Sequence, residues 1–247
     1  MSNLDKLIKL SSKGKKLTCI TAYDASFAKY LDNSCIDIIL VGDSLGQVIK
    51  GDSSTHHVTL DEIIYHSKCV KSGLNKSILM VDLPKKTYSN KLDAYKNISK
   101  VINACHADIV KLEINDKNIN IVEYLLSKKV PVCAHIGLLP QSVKSESGYR
   151  KYGKSKKEAD MIYNIALKLD EIGVKIILLE CIEHALAKKI TKSCKAPVIG
   201  IGSGNKLDGQ VAVIYDLLGI SFNKISTLTL KEQPVFKNII KKFKKDL

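Results

Sequence analysis

Eight short runs of aliphatic and β-branched residues recur along the chain, at 17–23, 36–42, 77–81, 108–112, 130–134, 174–179, 197–201 and 211–215. A strand with one wet face alternates apolar and polar residues. Runs that stay apolar throughout belong to strands covered on both faces, as in a parallel sheet clad by helices. Helix-period segments separate most of these runs. Ala94, Ile98, Val101, Ile102 and Cys105 share one helical face. Ile162, Ile165, Ala166, Leu169 and Ile172 share another, which Gly173 is placed to end. For 247 residues the candidates are a closed (β/α)8 barrel and an open doubly wound sheet. An open sheet calls for a glycine fingerprint after its first strand, and here the first run leads into Tyr23-Asp-Ala-Ser-Phe. The expectation is therefore a (β/α)8 TIM barrel. No Pro/Gly/Ser-rich linker divides the chain, and only 221–232 changes in texture, so one domain over 1–247 is expected. Leu4, Leu7 and Ile8 suggest a short amphipathic helix at about 3–11 that could cover the bottom of a barrel; a disordered N-terminus is the alternative.

Composition narrows the class. With 45% apolar residues, burying roughly 70 to 75% of the unfolded surface needs no disulfide or metal staple. The seven cysteines are odd in number and widely spread, and no Cys-x-x-Cys occurs, which reads as reduced thiols rather than a disulfide frame or a zinc site. Residues 1–10 hold no apolar signal core, and no stretch approaches the roughly 18 apolar residues of a membrane span. A soluble cytoplasmic protein without a membrane partner is expected. The net charge of +14 points at first to nucleic acid. Yet Arg150 is the single arginine among 39 cationic residues, whereas base and phosphate readout favours arginine forks. Lysine codons are AT-rich, so solvated lysine faces produced by a composition bias are preferred over a polyanion site, and no nucleic-acid partner is expected. A positive field would still draw in small anions.

The residues that end the runs carry the chemistry. They are Asp24, Asp43-Ser44, Asp82, Lys111-Leu-Glu113, His135, Glu180 and Gly202-Ser-Gly204. In a β/α barrel these C-terminal strand ends converge on the mouth where such enzymes act. A lone acid there can be a mere helix cap. As a set, which includes His and Lys, they read better as a site. Asp43, Asp82 and Glu113 offer only hard oxygen ligands, which favours Mg2+ chelating the keto and carboxylate oxygens of a 2-oxo acid and making the adjacent carbon acidic. Lys111 and Glu113 lie two apart on one strand and point the same way; a cation there could balance a substrate carboxylate or an enolate, and a bare Lys111–Glu113 ion pair is the alternative. Burial of Glu180 in the tract 176–181 would raise its pKa toward that of a general base, against the alternative of a satisfied buried carboxylate. His135 could donate to substrate or stand behind a carboxylate. The glycine-rich 200–205 sits where many barrels bind phosphate, although close backbone packing explains it equally.

In order along the chain, Ile20-Thr-Ala-Tyr-Asp-Ala-Ser-Phe-Ala, Leu40-Val-Gly-Asp-Ser-Leu-Gly, Val58-Thr-Leu-Asp-Glu with Tyr65-His, Val81-Asp-Leu-Pro, Val110-Lys-Leu-Glu, Pro131-Val-Cys-Ala-His-Ile-Gly-Leu-Leu-Pro-Gln-Ser, Leu178-Leu-Glu-Cys and Pro197-Val-Ile-Gly-Ile-Gly-Ser-Gly with Asp208-Gly-Gln resemble the ketopantoate hydroxymethyltransferase family, from about residue 17 to 220. The resemblance implies a barrel of the phosphoenolpyruvate/pyruvate superfamily on the pantothenate route to coenzyme A. It also implies transfer of the one-carbon unit of 5,10-methylenetetrahydrofolate to 3-methyl-2-oxobutanoate, giving 2-dehydropantoate. It carries the metal ligands onto Asp43 and Asp82, with Glu113 a ligand acting through water. Substrate contacts fall on Asp43, Ser44, Asp82 and Lys111, and the proton acceptor on Glu180. Large homo-oligomers, commonly decamers, are implied as well.

The chain departs from the family pattern in several places. Lys85-Lys86 follows Asp-Leu-Pro where apolar residues are usual, His56-His57 stands for Leu-Pro, and Ser203 stands for Ala. The segment 145–149 is altered and a lysine-rich 150–157 follows; Ile225-Ser-Thr-Leu replaces Pro-Lys-Phe, and the usual tail is missing. All lie outside the metal and base positions, so the chemistry is expected to survive while folate affinity, loop closure and subunit packing are affected. Three other readings stand beside this one. They are a superfamily lyase or mutase on an oxaloacetate-like acid, which would want a reactive cysteine in a mouth loop, a polyanion-binding protein, and an inactive relative.

Overall fold

A computed structural model of the chain describes residues 1–143, 149–222 and 235–245, and in it parallel strands close into a barrel in chain order. The strands are β1 (Leu17–Thr21), β2 (Ile38–Val41), β3 (Ile78–Asp82), β4 (Ile109–Glu113), β5 (Val132–Gly137), β6 (Ile176–Glu180), β7 (Val198–Ile201) and β8 (Gly209–Ala212). The helices are α1 (Asn3–Ser11), α2 (Ala25–Asn33), α3 (Leu45–Val48), α4 (Leu60–Gly73), α5 (Lys91–Cys105), α6 (Ile119–Ser127), α7 (Lys156–Glu171), α8 (His184–Ser193), α9 (Ile214–Leu218) and α10 (Val235–Lys245). The expected closed barrel is the fold. The altered residues 145–148, the stretch 225–228 and most of the texture change at 221–232 lie outside the described residues.

Side chains along a strand alternate between the two faces of the sheet, and in a barrel one face is the interior. Ile38, Met80, Ile109, Cys133, Leu178 and Ile199 fill that interior. Leu4 and Leu7 of α1 join the same cluster, so this helix plugs one end. The other parity meets the helices: Val41, Leu79 and Val81 pack with Ala28, Ile63 and Val70, and Val110, Ala134 and Ile177 with Ile98, Val122 and Leu169. Two residues beyond an interior apolar position, the inward parity reaches a polar group on four consecutive strands. Met80 is followed by Asp82, Ile109 by Lys111 and then Glu113, Cys133 by His135, and Leu178 by Glu180. The barrel's own periodicity therefore delivers these side chains to one end of its axis.

The eighth strand differs from its apolar run. Pairing starts at Gly209, opposite Leu17, and ends at Ala212, while Ile214 and Tyr215 open α9. Backbone packing decides this. A Cβ at Gly209 would lie 2.4 Å from the Leu17 carbonyl oxygen and 2.8 Å from its Cβ, so the closing seam needs glycine there. Thr21 Oγ1 accepts from the Ile214 amide at 3.1 Å and turns the chain out of the sheet.

Gly209→Ala should therefore weaken the β1–β8 seam and lower the unfolding free energy by about 1–3 kcal/mol, the usual scale of overpacking, in urea titrations. An unchanged midpoint would show that the seam yields freely.

Candidate active site

At the mouth, Asp43, Ser44, Asp82, Lys111 and Glu180 line one cavity of about 80 Å3. Asp82 and Glu180 are the last residues of β3 and β6, and Lys111 lies within β4. Asp43 and Ser44 belong to the turn between β2 and α3, where the Asp43 amide donates to Asp82 Oδ2 at 3.4 Å. Tyr23 OH and Ser44 Oγ are hydrogen-bonded at 2.8 Å. Lys111 Nζ donates to Asp82 Oδ2 at 2.6 Å. The register sets Asp82 opposite Lys111, so the cation pairs across strands and the Lys111–Glu113 pair held open by the sequence does not form. Glu113 Oε1 instead accepts from the Gln141 amide at 3.0 Å, and Glu113 lines the neighbouring groove rather than the cavity. His135 is buried below, its Nε2 3.2 Å from Glu180 Oε2 but without the alignment of a hydrogen bond.

Burial dominates the electrostatics. It pushes Glu180 up to about 8, against the pull of Lys111. It pushes Asp82 up to about 7 in spite of the same cation. It drives Glu113 well above the ordinary carboxylate range, with Asp43 adding to the rise. It also drives His135 well below its usual value, so that ring is neutral. For Lys111 burial works toward deprotonation, but the charges of Asp82, Asp43 and Glu113 outweigh it and hold the amine above its usual value. Within the Asp82–Lys111 pair the two shifts pull toward opposite charge states for the contact. The 2.6 Å approach and the surrounding acids settle it in favour of an ammonium at Lys111.

Four acids thus surround one cation, and Asp43 Oδ2, Asp82 Oδ1 and Glu113 Oε2 are buried without a hydrogen-bond partner. An unpaired buried carboxylate oxygen is costly, and a hard dication is what such oxygens suit. Among the described residues no three His, Cys, Asp or Glu side chains come close enough to form a complete cage. The donor set therefore fits a cation that takes few protein carboxylates and leaves positions for water and substrate oxygens, as Mg2+ does.

Several residues resolve differently from a plain reading of run ends. Asp24 is a helix cap, its side chain accepting from the Ser26 and Phe27 amides of α2. Packing accounts for the glycine-rich segment: within β7 a Cβ at Gly200 would lie 2.6 Å from Leu207 Cδ1, and in the turn that follows Ser203 Oγ donates to Leu179 O while accepting from the Ile182 amide. Cys181 follows Glu180 in the chain, but it is not among the residues that line the cavity. It is buried, and that burial pushes its thiol up to about 12, so it is no reactive thiolate. Tyr149 and Asp216 also line the cavity and were not foreseen. Gln141 was not foreseen either; it braces Glu113 while its side chain bonds Leu83 O and Tyr88 OH, and the Pro-Gln-Ser motif was its only signal.

A family model described as ketopantoate hydroxymethyltransferase matches residues 2–247. A 3-methyl-2-oxobutanoate hydroxymethyltransferase of Vibrio parahaemolyticus is 42% identical over 247 residues, which cover 99% of this chain and 93% of that one. Among solved structures, phosphonopyruvate hydrolase in complex with oxalate and Mg2+ superposes with a TM-score of 0.66 at 12% identity, covering 100% of this chain and 88% of that one. 2,3-Dimethylmalate lyase, a PEP mutase/isocitrate lyase superfamily member, does so with 0.64 at 10% identity, covering 99% and 87%. These two similarities are of fold alone. The family match and the close relative together place the chain in the ketopantoate hydroxymethyltransferase family.

Proposed function

We propose that this protein transfers a hydroxymethyl group from 5,10-methylenetetrahydrofolate to 3-methyl-2-oxobutanoate, giving 2-dehydropantoate in the first step of pantothenate formation. The carrying observation is the convergence of Asp43, Ser44, Asp82, Lys111 and Glu180 on one cavity in a chain with so close a relative of that name. Asp43 and Asp82 would hold Mg2+, with Glu113 reaching it through water. Such an ion polarises the 2-oxo group of the substrate and acidifies its C3 hydrogen. A barrel of this fold solved with oxalate and Mg2+ supports that choice. Glu180, kept basic by burial, takes the C3 proton. Lys111, an ammonium held in place by Asp82, faces the negative charge of the substrate carboxylate and enolate. Ser44, positioned by Tyr23, binds the carboxylate end. The carbanion electrons then form the bond to the folate methylene carbon, both bonds from that carbon to the folate nitrogens N5 and N10 break, water supplies the hydroxyl oxygen, and the two nitrogens take up the C3 proton and the proton released by water. His135 stays neutral beneath Glu180.

We further take residues 1–247 as one domain and the enzyme as a cytoplasmic homo-oligomer, with a decamer as the expected form. Exposed Tyr30 on α2 and Tyr65 on α4 offer apolar surface for subunit contacts, and the free cysteines suit a reducing compartment.

Glu180→Gln should lower transfer by about 10²- to 10⁴-fold, as loss of a general base does, with the KM of the oxo acid little changed. C3 hydrogen exchange with deuterated solvent at the wild-type rate in that variant would overturn the assignment. Wild-type exchange should weaken as pH falls below the Glu180 value of about 8, which a bound dication lowers. Mg2+ at a hundred times its Kd should stabilise the wild type by about 2.7 kcal/mol, and Asp43→Ala should remove both this shift and the metal dependence of turnover. In metal-free enzyme Lys111→Met should cost about 3–5 kcal/mol where Asp82 is ionised. Without its cation Asp82 titrates higher still and can neutralise as pH falls, so the loss should be larger at alkaline than at acidic pH in denaturation curves.

A further inference from the structure

The cavity at the mouth has a larger neighbour, an open groove of about 820 Å3 whose lining includes Glu113 and Gln141, the residues two beyond Lys111 and one beyond Pro140, which line the cavity. Lys85 and Lys86 from the loop after β3, Lys91 at the start of α5 and Lys117 from the loop after β4 line it. None of the four side chains forms an ion pair among the described residues. Lys86 occupies the third position of a turn closed by the Thr87 amide on Pro84 O at 3.2 Å, with φ at 71°, a region that favours glycine. A lysine kept there against its backbone preference directs attention to its ammonium. The groove also carries apolar surface, with Leu92 71% exposed.

We propose that this lysine-lined groove seats the glutamate carboxylates of the folate co-substrate. The inference rests on the function proposed above and names where one end of that molecule lies. A methylenetetrahydrofolate carries its reactive carbon at the pterin end and its carboxylates at the other, with a flat aromatic spacer between them. The reactive carbon must reach the cavity, where Asp43, Asp82 and Glu180 against Lys111 repel a further anion. The carboxylates are excluded from there and meet unpaired ammonium groups in the groove, while the spacer crosses the apolar surface. Lys85-Lys86 stands where apolar residues are usual in the family, so affinity for the tail is a property of this chain's own residues. Each added glutamate brings another carboxylate, so attraction rises with tail length and weakens with salt.

The test measures the KM of the Mg2+-loaded enzyme for methylenetetrahydrofolate with one and with three glutamates, at saturating 3-methyl-2-oxobutanoate. The triglutamate should show the lower KM, by a gap that narrows as salt is raised. Lys85→Ala with Lys86→Gly, the glycine preserving the turn, should raise the triglutamate KM roughly three- to tenfold and close most of the gap. Lys117→Gln, on the opposite loop, should narrow it independently. A gap that survives both variants, or equal KM values in the wild type, would overturn the groove assignment alone. No hydroxymethyl transfer from either folate would overturn it together with the proposed function.

Discussion

A closed parallel barrel gives every second side chain of each strand a single destination, the axis. Over most of its length that space is filled by residues such as Ile38, Met80 and Leu178, with α1 as the plug. At the mouth the same alternation reaches Asp82, Lys111, Glu113 and Glu180 and holds them where water is scarce. Burial raises the carboxyl pKa values, and one ammonium is set among several acids with three carboxylate oxygens unpaired. The enzyme chemistry proposed here follows from that crowding. A dication relieves it, a basic glutamate results from it, and a substrate carrying keto and carboxylate oxygens completes it.

The strand-borne part of the mouth was legible in the amino acids because two independent periodicities agree there. Each apolar run marks a strand, and the polar residue two beyond an interior apolar position marks the inward face at its upper end. The loop-borne part was not. Tyr149 and Asp216 reach the cavity through tertiary placement that no local pattern encodes. Gln141 acts through its backbone amide, which any residue type carries. Asp24 shows the converse error: an acid at the end of a run can serve only the next helix. The last strand was misjudged because a backbone contact at Gly209 sets its limits, and apolar content does not reveal such contacts.

This division also separates what can vary from what cannot. Groups fixed by strand register, such as the Asp82–Lys111 pair, are placed by the whole barrel and tolerate little change. Groups on the turns after the strands, such as Lys85, Lys86 and His56, can change without disturbing the sheet. His56 is tied to the loop after β5, its Nε2 3.1 Å from the carbonyl oxygen of Pro140, which lines the cavity.

The most direct measurement is anomalous diffraction from crystals soaked with Mn2+ in place of Mg2+, together with 3-methyl-2-oxobutanoate. One strong peak is expected at the mouth, within bonding distance of carboxylate oxygens of Asp43 and Asp82, with the oxo acid completing its coordination. A peak elsewhere, or a bound oxo acid with no cation between it and these two carboxylates, would contradict the metal assignment.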